Sequence, residues 1–148
     1  MSNQPSAVLF TCTQNAIRSP MAEAILKSLQ PGKVFVDSVG VRPTEIDPFV
    51  IEVMAEIGID LSNHRAKSFQ ALDDSSFDLV VSLSPEAQHS AVELTRWMAC
   101  DVEYWPTFDP SVVEGSRDMR LAAYRKVRDE LMARIAERFP PIEGGNGD

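Results

Sequence analysis

Short apolar runs that alternate with stretches of helical periodicity constrain this chain more than any other feature. Ala7-Val-Leu-Phe-Thr-Cys12 mixes β-branched and aromatic residues and gives way to a polar stretch, the pattern of a buried strand. Ser19-Pro20 then opens a segment with Met21, Ala22, Ile25, Leu26 and Leu29 at helical spacing. Serine is expected as its N-cap and proline at its first helical position, and Pro31-Gly32 closes it. Residues 33–38 form a second strand. Asp47-Pro48 starts a second helix through Phe49, Val50, Val53, Met54 and Ile57, ended by Gly58. Residues 77–83 are almost continuously apolar, as a central parallel strand covered on both faces must be. A helix over 85–99, a short strand over 102–105 stopped by Pro106, and a long helix over 116–139 complete the series. The long helix carries Leu121, Tyr124, Val127, Leu131 and Ile135 on one stripe, and Pro140-Pro141 ends it. Strands alternating with helices predict an α/β fold: an open, four-stranded parallel sheet with helices on both faces.

No repeat, linker or low-complexity insert interrupts the pattern, so the 148 residues read as one domain, 1–148, with 1–6 and 140–148 as flexible ends. Two cysteines, Cys12 and Cys100, are too few for a disulfide framework, and no metal-ligand spacing is visible. No apolar run approaches the roughly 20 residues of a membrane span, and the first residues lack a secretory pattern. The expectation is a cytoplasmic protein with reduced thiols and no membrane partner. A formal net charge of −8 argues against nucleic-acid binding, which needs a basic face. The charge is uneven. Residues 1–36 hold Arg18, Lys27 and Lys33 against Glu23, a net +2, which leaves −10 for the remainder and is compatible with a local anion site near the N-terminus.

In folds of this kind ligands sit beyond the carboxyl ends of the strands, where loops run into helix N-termini. The first such loop is Cys12-Thr-Gln-Asn-Ala-Ile-Arg18-Ser19. Its backbone N–H groups can curl inward as a nest, and the following helix presents its positive end to the same point. Arg18 can offer a bidentate fork to two oxygens of a phosphate. The same donors would hold Cys12 as thiolate, the nucleophilic form. An arginine six positions after a cysteine and followed by Ser or Thr arises by chance in roughly 2% of chains of this composition. A buried cysteine is more often only a small hydrophobe, yet the placement between strand and helix favours an oxyanion site.

Val8-Leu-Phe-Thr-Cys12-Thr-Gln-Asn-Ala-Ile-Arg18-Ser-Pro-Met-Ala-Glu-Ala24 resembles the signature of low-molecular-weight protein tyrosine phosphatases and the related thioredoxin-coupled arsenate reductases. The resemblance continues through Asp37-Ser-Val-Gly40, Glu56-Ile-Gly-Ile59, His64-Arg65, Phe77-Asp-Leu-Val-Val81 and Phe108-Asp-Pro110, from about residue 7 to residue 139. It implies that Cys12 attacks phosphorus and forms a phosphocysteine. Arg18 and the loop of Thr13, Gln14, Asn15, Ala16, Ile17 and Ser19 would hold the other oxygens. Asp109 would serve as general acid and then assist water. Ser19 would stabilise the thiolate, and Asn15, Ser38 and His64 would keep the loop in shape. Without the resemblance, Asp109 before Pro110 is a common turn pair and His64 could be a turn residue. His89 reads as a surface residue, Trp97 and Trp105 as packing residues, and Asp73 and Asp74 as a solvated turn.

The chain also departs from the family. Ile17 stands where the phosphatases often have a second cysteine, and Gln14 replaces a more familiar glycine. Ser111 and Val112 follow Pro110 where aromatic residues usually flank a phosphotyrosine ring. Ser84 and Ser90 lie where the thioredoxin-coupled reductases keep resolving cysteines, so that internal relay is unavailable. The leading expectation is a metal-independent cysteine phosphatase without cofactor, acting on phosphomonoesters or phosphotyrosine proteins, with inorganic phosphate or another oxyanion as ligand. The alternatives are an arsenate reductase that borrows an external thiol such as glutathione, and a non-catalytic oxyanion-binding regulatory domain.

Overall fold

The computed structural model describes residues 4–72 and 76–140. Four strands, β1 (Ala7–Cys12), β2 (Phe35–Gly40), β3 (Leu79–Ser82) and β4 (Asp101–Tyr104), form one parallel sheet in the order β2-β1-β3-β4. Four helices connect or follow them: α1 (Arg18–Leu29), α2 (Pro48–Ala55), α3 (Pro85–Leu94) and α4 (Arg117–Arg138). This is the α/β architecture the alternation of runs predicts. Because the strands are parallel, each crossover carries the chain back, and the helices begin at the carboxyl end of the sheet.

Side-chain parity in the central strand divides the core. Val8, Phe10 and Cys12 of β1 pack with α1, α2 and α4 on one face, while Leu9 packs with Val39, Val80, Phe77 and Ala91 beneath α3 on the other. The α4 stripe of Leu121, Tyr124, Val127, Leu131 and Ile135 is wholly buried. Three helix starts follow the sequence rule. Asp47 accepts a hydrogen bond from Phe49 N, Ser84 from Ala87 N and Ser116 from Met119 N.

α1 does not. It begins at Arg18 with Ile17 as N-cap and no side-chain cap, and Ser19 lies inside the helix with its hydroxyl turned toward Cys12. The third and fourth strands are shorter than, or displaced from, the apolar runs, and β2 runs to Gly40 rather than Ser38. α3 stops at Leu94 instead of residue 99, where the chain leaves the helix in a turn. Trp97 lies in that turn and is 84% exposed, which corrects its assignment as a packing residue. Trp105 is buried edge-on against Phe10, and His89 is exposed. Asp73, Asp74 and the terminal Gly-rich segment lie outside the described residues. Among the described residues no helix is long and apolar enough to cross a membrane, and no cluster of His, Cys, Asp and Glu could hold a metal ion.

Candidate active site

The loop between β1 and α1 has its carbonyls turned outward. Segment 41–47, which continues from β2, runs beside it and donates Val41 N to Cys12 O, Arg42 N to Thr13 O, Thr44 N to Gln14 O and Asp47 N to Ala16 O. His64 Nε2 reaches Asn15 O at 3.2 Å, and Met21 N binds Ile17 O. Every carbonyl from Cys12 to Ile17 therefore has a partner outside the hollow of the loop. With the carbonyls engaged outside, the N–H groups across the same trans peptides point the other way, into the hollow of the loop. Asn15 takes the left-handed conformation needed at the bend, with φ of 53°, a region asparagine tolerates.

Gly40 permits this close approach. A Cβ there would lie 2.6 Å from Asn15 N and 2.8 Å from the Gln14 carbonyl carbon. Sequence reading included Gly40 in a motif without giving it a task. Its position at a strand end after Asp37-Ser38 is the signal that could have marked it.

Inside the loop, Cys12 Sγ lies 2.9 Å from Ser19 Oγ and 3.2 Å from Asn15 N, and Cys12 is 2% exposed. The directions of the hydrogen bonds follow from the chain of partners. Ser38 Oγ donates to the Glu23 carboxylate at 2.5 Å, so it can accept from Asn15 Nδ2 at 2.9 Å. The second hydrogen of that amide goes to Ser19 Oγ at 2.8 Å, and the Ser19 hydroxyl, 2.9 Å from Cys12 Sγ, can donate its own hydrogen to the sulfur when that sulfur is a thiolate. Asn15 Oδ1 accepts from Lys67 N at 3.0 Å and from His64 Nε2 at 3.2 Å, which fixes the amide orientation. Both atoms facing His64 Nε2 are acceptors, so that nitrogen carries the hydrogen. Burial pushes the His64 imidazole below its ordinary value, only partly offset by the charge of Glu23, and the neutral ring suffices for this bond.

The structure thus joins Asn15, Ser19, Ser38 and His64 in one network. It adds Glu23, which sequence reading passed over. Glu23 stands four residues after Ser19 on the same side of α1, and that spacing was the available signal.

Arg18 is 9% exposed at the start of α1, and its Nη1 donates to Thr107 O at 3.0 Å. That bond ties the loop to the segment carrying Asp109. Asp109 Oδ1 accepts from Ser111 N at 3.0 Å and Ser111 Oγ at 2.7 Å, which leaves Oδ2 without a hydrogen bond among the described residues. Ser84 Oγ accepts from Thr13 Oγ1 at 3.0 Å, so a hydroxyl bound to the loop occupies this place rather than a thiol. Cys100 packs on the α3 face of the sheet, opposite Cys12, and burial pushes its thiol up, helped by the charge of Asp101.

A parallel sheet with a cysteine, an arginine and an inward-facing amide loop at its carboxyl end defines an α/β protein built around a cysteine-centred loop. The family model for low molecular weight phosphotyrosine protein phosphatases matches residues 7–139, and the chain belongs to that family, whose members are enzymes. It is 30% identical over 136 residues to a glutaredoxin arsenate reductase from Synechocystis sp., covering 91% of this chain and 97% of that one. Among solved structures it is similar to a low molecular weight protein tyrosine phosphatase from T. tengcongensis, with TM-score 0.71 and 31% identity, covering 88% of this chain and 95% of that one. An arsenate reductase in the phosphate binding state superposes with TM-score 0.68 at 28% identity, covering 89% of this chain and 95% of that chain.

Proposed function

We propose that the chain is a cysteine-dependent phosphatase that hydrolyses phosphomonoesters, with phosphotyrosine in proteins as the leading substrate class. The observation that carries this reading is the hydrogen-bonded network ending at Cys12, which sets the Ser19 hydroxyl 2.9 Å from the sulfur, within reach to donate to a thiolate. A donor aimed there stabilises a thiolate, both as nucleophile and later as leaving group. The phosphoryl group sits in the loop, with its non-bridging oxygens on the amides of 13–19 and the Arg18 guanidinium. Cys12 Sγ attacks phosphorus as the ester P–O bond breaks, and Asp109 gives its proton to the departing oxygen. Water then attacks the phosphocysteine, Asp109 takes its proton, the S–P bond breaks, and inorganic phosphate leaves. Retention of both Cys12 and Asp109 favours turnover over a purely regulatory oxyanion domain, which requires neither.

The relatives named as arsenate reductases favour a second reading: arsenate reduction with an outside thiol. Arsenate bound through Cys12 sulfur would be attacked there by a thiol such as glutathione. That step releases arsenite and leaves a mixed disulfide on Cys12, the two sulfurs supplying the two electrons. A second thiol would restore the enzyme. Either reading fits a reducing compartment such as the cytoplasm.

The test is hydrolysis of para-nitrophenyl phosphate in EDTA by the wild type and Cys12→Ser. The wild type should turn over, while the variant loses turnover and retains vanadate binding. Comparable rates in both would remove the covalent mechanism, and an inactive wild type that still binds phosphate would leave the regulatory domain.

A further inference from the structure

The first turns of α4 set two guanidinium groups against one aromatic ring. The central carbon of Arg120 lies 4.7 Å from the centroid of Phe49, and that of Arg117 lies 5.8 Å away. Phe49 packs edge-on against Tyr124, with centroids 5.2 Å apart. Tyr124 donates to Asp47 Oδ2 at 2.7 Å, and Asp47 N holds Ala16 O of the oxyanion loop. The helix that carries Arg120 also packs against the turn over Pro110–Val112, which follows Asp109 directly.

Arg117 is neutralised by Glu52. Among the described residues no carboxylate lies within ion-pair distance of Arg120. Two like charges thus converge on one ring, and only one is balanced within the fold. Stacking on Phe49 confines the unbalanced guanidinium, so little freedom is lost when it meets an anion. The setting is the more telling in a chain of net charge −8, where carboxylates are abundant and most α4 arginines have one.

We propose that Arg120 is a specificity-determining residue that receives the carboxylate of an acidic side chain neighbouring the phosphorylated residue of a protein substrate. This rests on the phosphatase reading above. Arg120 connects to the outer, carbonyl side of the Cys12 loop through Phe49, Tyr124 and Asp47, so the group it meets belongs to a flanking residue rather than to the ester. The loop holds the phosphate, and Arg120 holds the second negative charge of the same segment.

Matched phosphotyrosyl peptides with Glu, Gln or Lys on either side of the phosphotyrosine test this. The wild type should prefer Glu over Gln by about two- to fivefold in kcat/KM, the span of an exposed ion pair, with Lys lowest. Added salt should shrink the preference. Arg120→Gln should bring the Glu/Gln ratio to about one, and Arg120→Lys should keep part of it. Arg96→Gln, beyond the end of α3, should leave the ratio at its wild-type value. Equal rates on the Glu and Gln peptides in the wild type, or an unchanged ratio in Arg120→Gln, overturn the proposal. Peptide binding to Cys12→Ser separates the two levels. If no peptide is hydrolysed, the phosphatase reading fails, and the Glu/Gln ratio of Kd in that background, with and without Arg120→Gln, decides the role of Arg120 by the same criteria.

Discussion

Replacing Gly40 by alanine tests whether the shape of the oxyanion loop is set from outside it. The added Cβ would meet Asn15 N at 2.6 Å, the Gln14 carbonyl carbon at 2.8 Å and Asn15 Cβ at 2.9 Å. Two of these are backbone atoms, so no rotamer change relieves the clash. Ordinary contact begins at 3.4 Å, so the atoms must separate by about 0.8 Å, the difference between 3.4 and 2.6 Å. Gly40 has little room to retreat. It is in register with Cys12, and its N–H donates to Lys67 O at 2.8 Å. The displacement therefore falls on Gln14 and Asn15, in the loop and beside the sulfur. A misplacement near 1 Å costs about 10²-fold in rate, and overpacking costs about 1–3 kcal/mol in stability. Gly40→Ala should lower kcat/KM for para-nitrophenyl phosphate by about 10- to 100-fold and weaken inhibition by phosphate. Gly58→Ala is the companion variant. Its Cβ meets nothing within 4 Å, yet φ is +81°, so it should lose about 1–2 kcal/mol in urea denaturation and keep its activity. A folded Gly40→Ala protein with kcat/KM and phosphate inhibition within twofold of wild type would refute the argument.

Three further outcomes follow from the site. Asp109→Asn should slow single-turnover phosphorylation by about 10²–10⁴ with alkyl or other high-pKa leaving groups, and less with nitrophenolate; equal losses on both would assign the acid to another residue. His64 has its folded pKa pushed below the ordinary 6.5, so on acidification the unfolded chain takes up the proton first. The stability it contributes is complete above about pH 6.5 and is lost as pH falls through the folded value. Urea denaturation between pH 7.5 and 5 should show a decline that is smaller in His64→Gln, and parallel declines would count against this. Finally, the protein without added thiol should release no stoichiometric arsenite from arsenate, and Cys100→Ser should hydrolyse phosphomonoesters within a few-fold of wild type. One arsenite per chain together with a Cys12–Cys100 disulfide in mass spectrometry would reverse that expectation.

Much of the fold was legible because its determinants are local. The run from Ala7 to Cys12 marks β1 to the residue, and the caps Asp47, Ser84 and Ser116 sit where their side chains predict. The same reasoning misplaced Ser19. Its sequence setting, a serine just before a proline, is that of an N-cap. A buried sulfur 2.9 Å away instead takes its hydroxyl, and the helix begins without a side-chain cap. The boundary of α3 and the exposure of Trp97 escaped for a different reason. Apolar residues in 95–99 extend a helical pattern whose backbone has already turned away. The network around Cys12 joins α1, the end of β2 and the segment 64–67, residues that no local pattern connects. Asn15, Ser38 and His64 were reached only through family resemblance, and Glu23 and Gly40 were left without roles.

The two cysteines show how sheet parity bears on chemistry. Cys12 shares its face with Phe10 and Val8, and Cys100 packs among the residues under α3, so the sheet lies between the two thiols. A disulfide needs Cα atoms within about 7 Å and Cβ vectors that face each other. Burial also holds the Cys100 thiol up, which keeps it protonated and a weak nucleophile. At the place the internal relay would use, Ser84 instead binds Thr13 and caps α3, two tasks that anchor the loop. Phosphoryl transfer needs one sulfur and fits this arrangement as it stands. Arsenate reduction needs two, and the second has to arrive from outside.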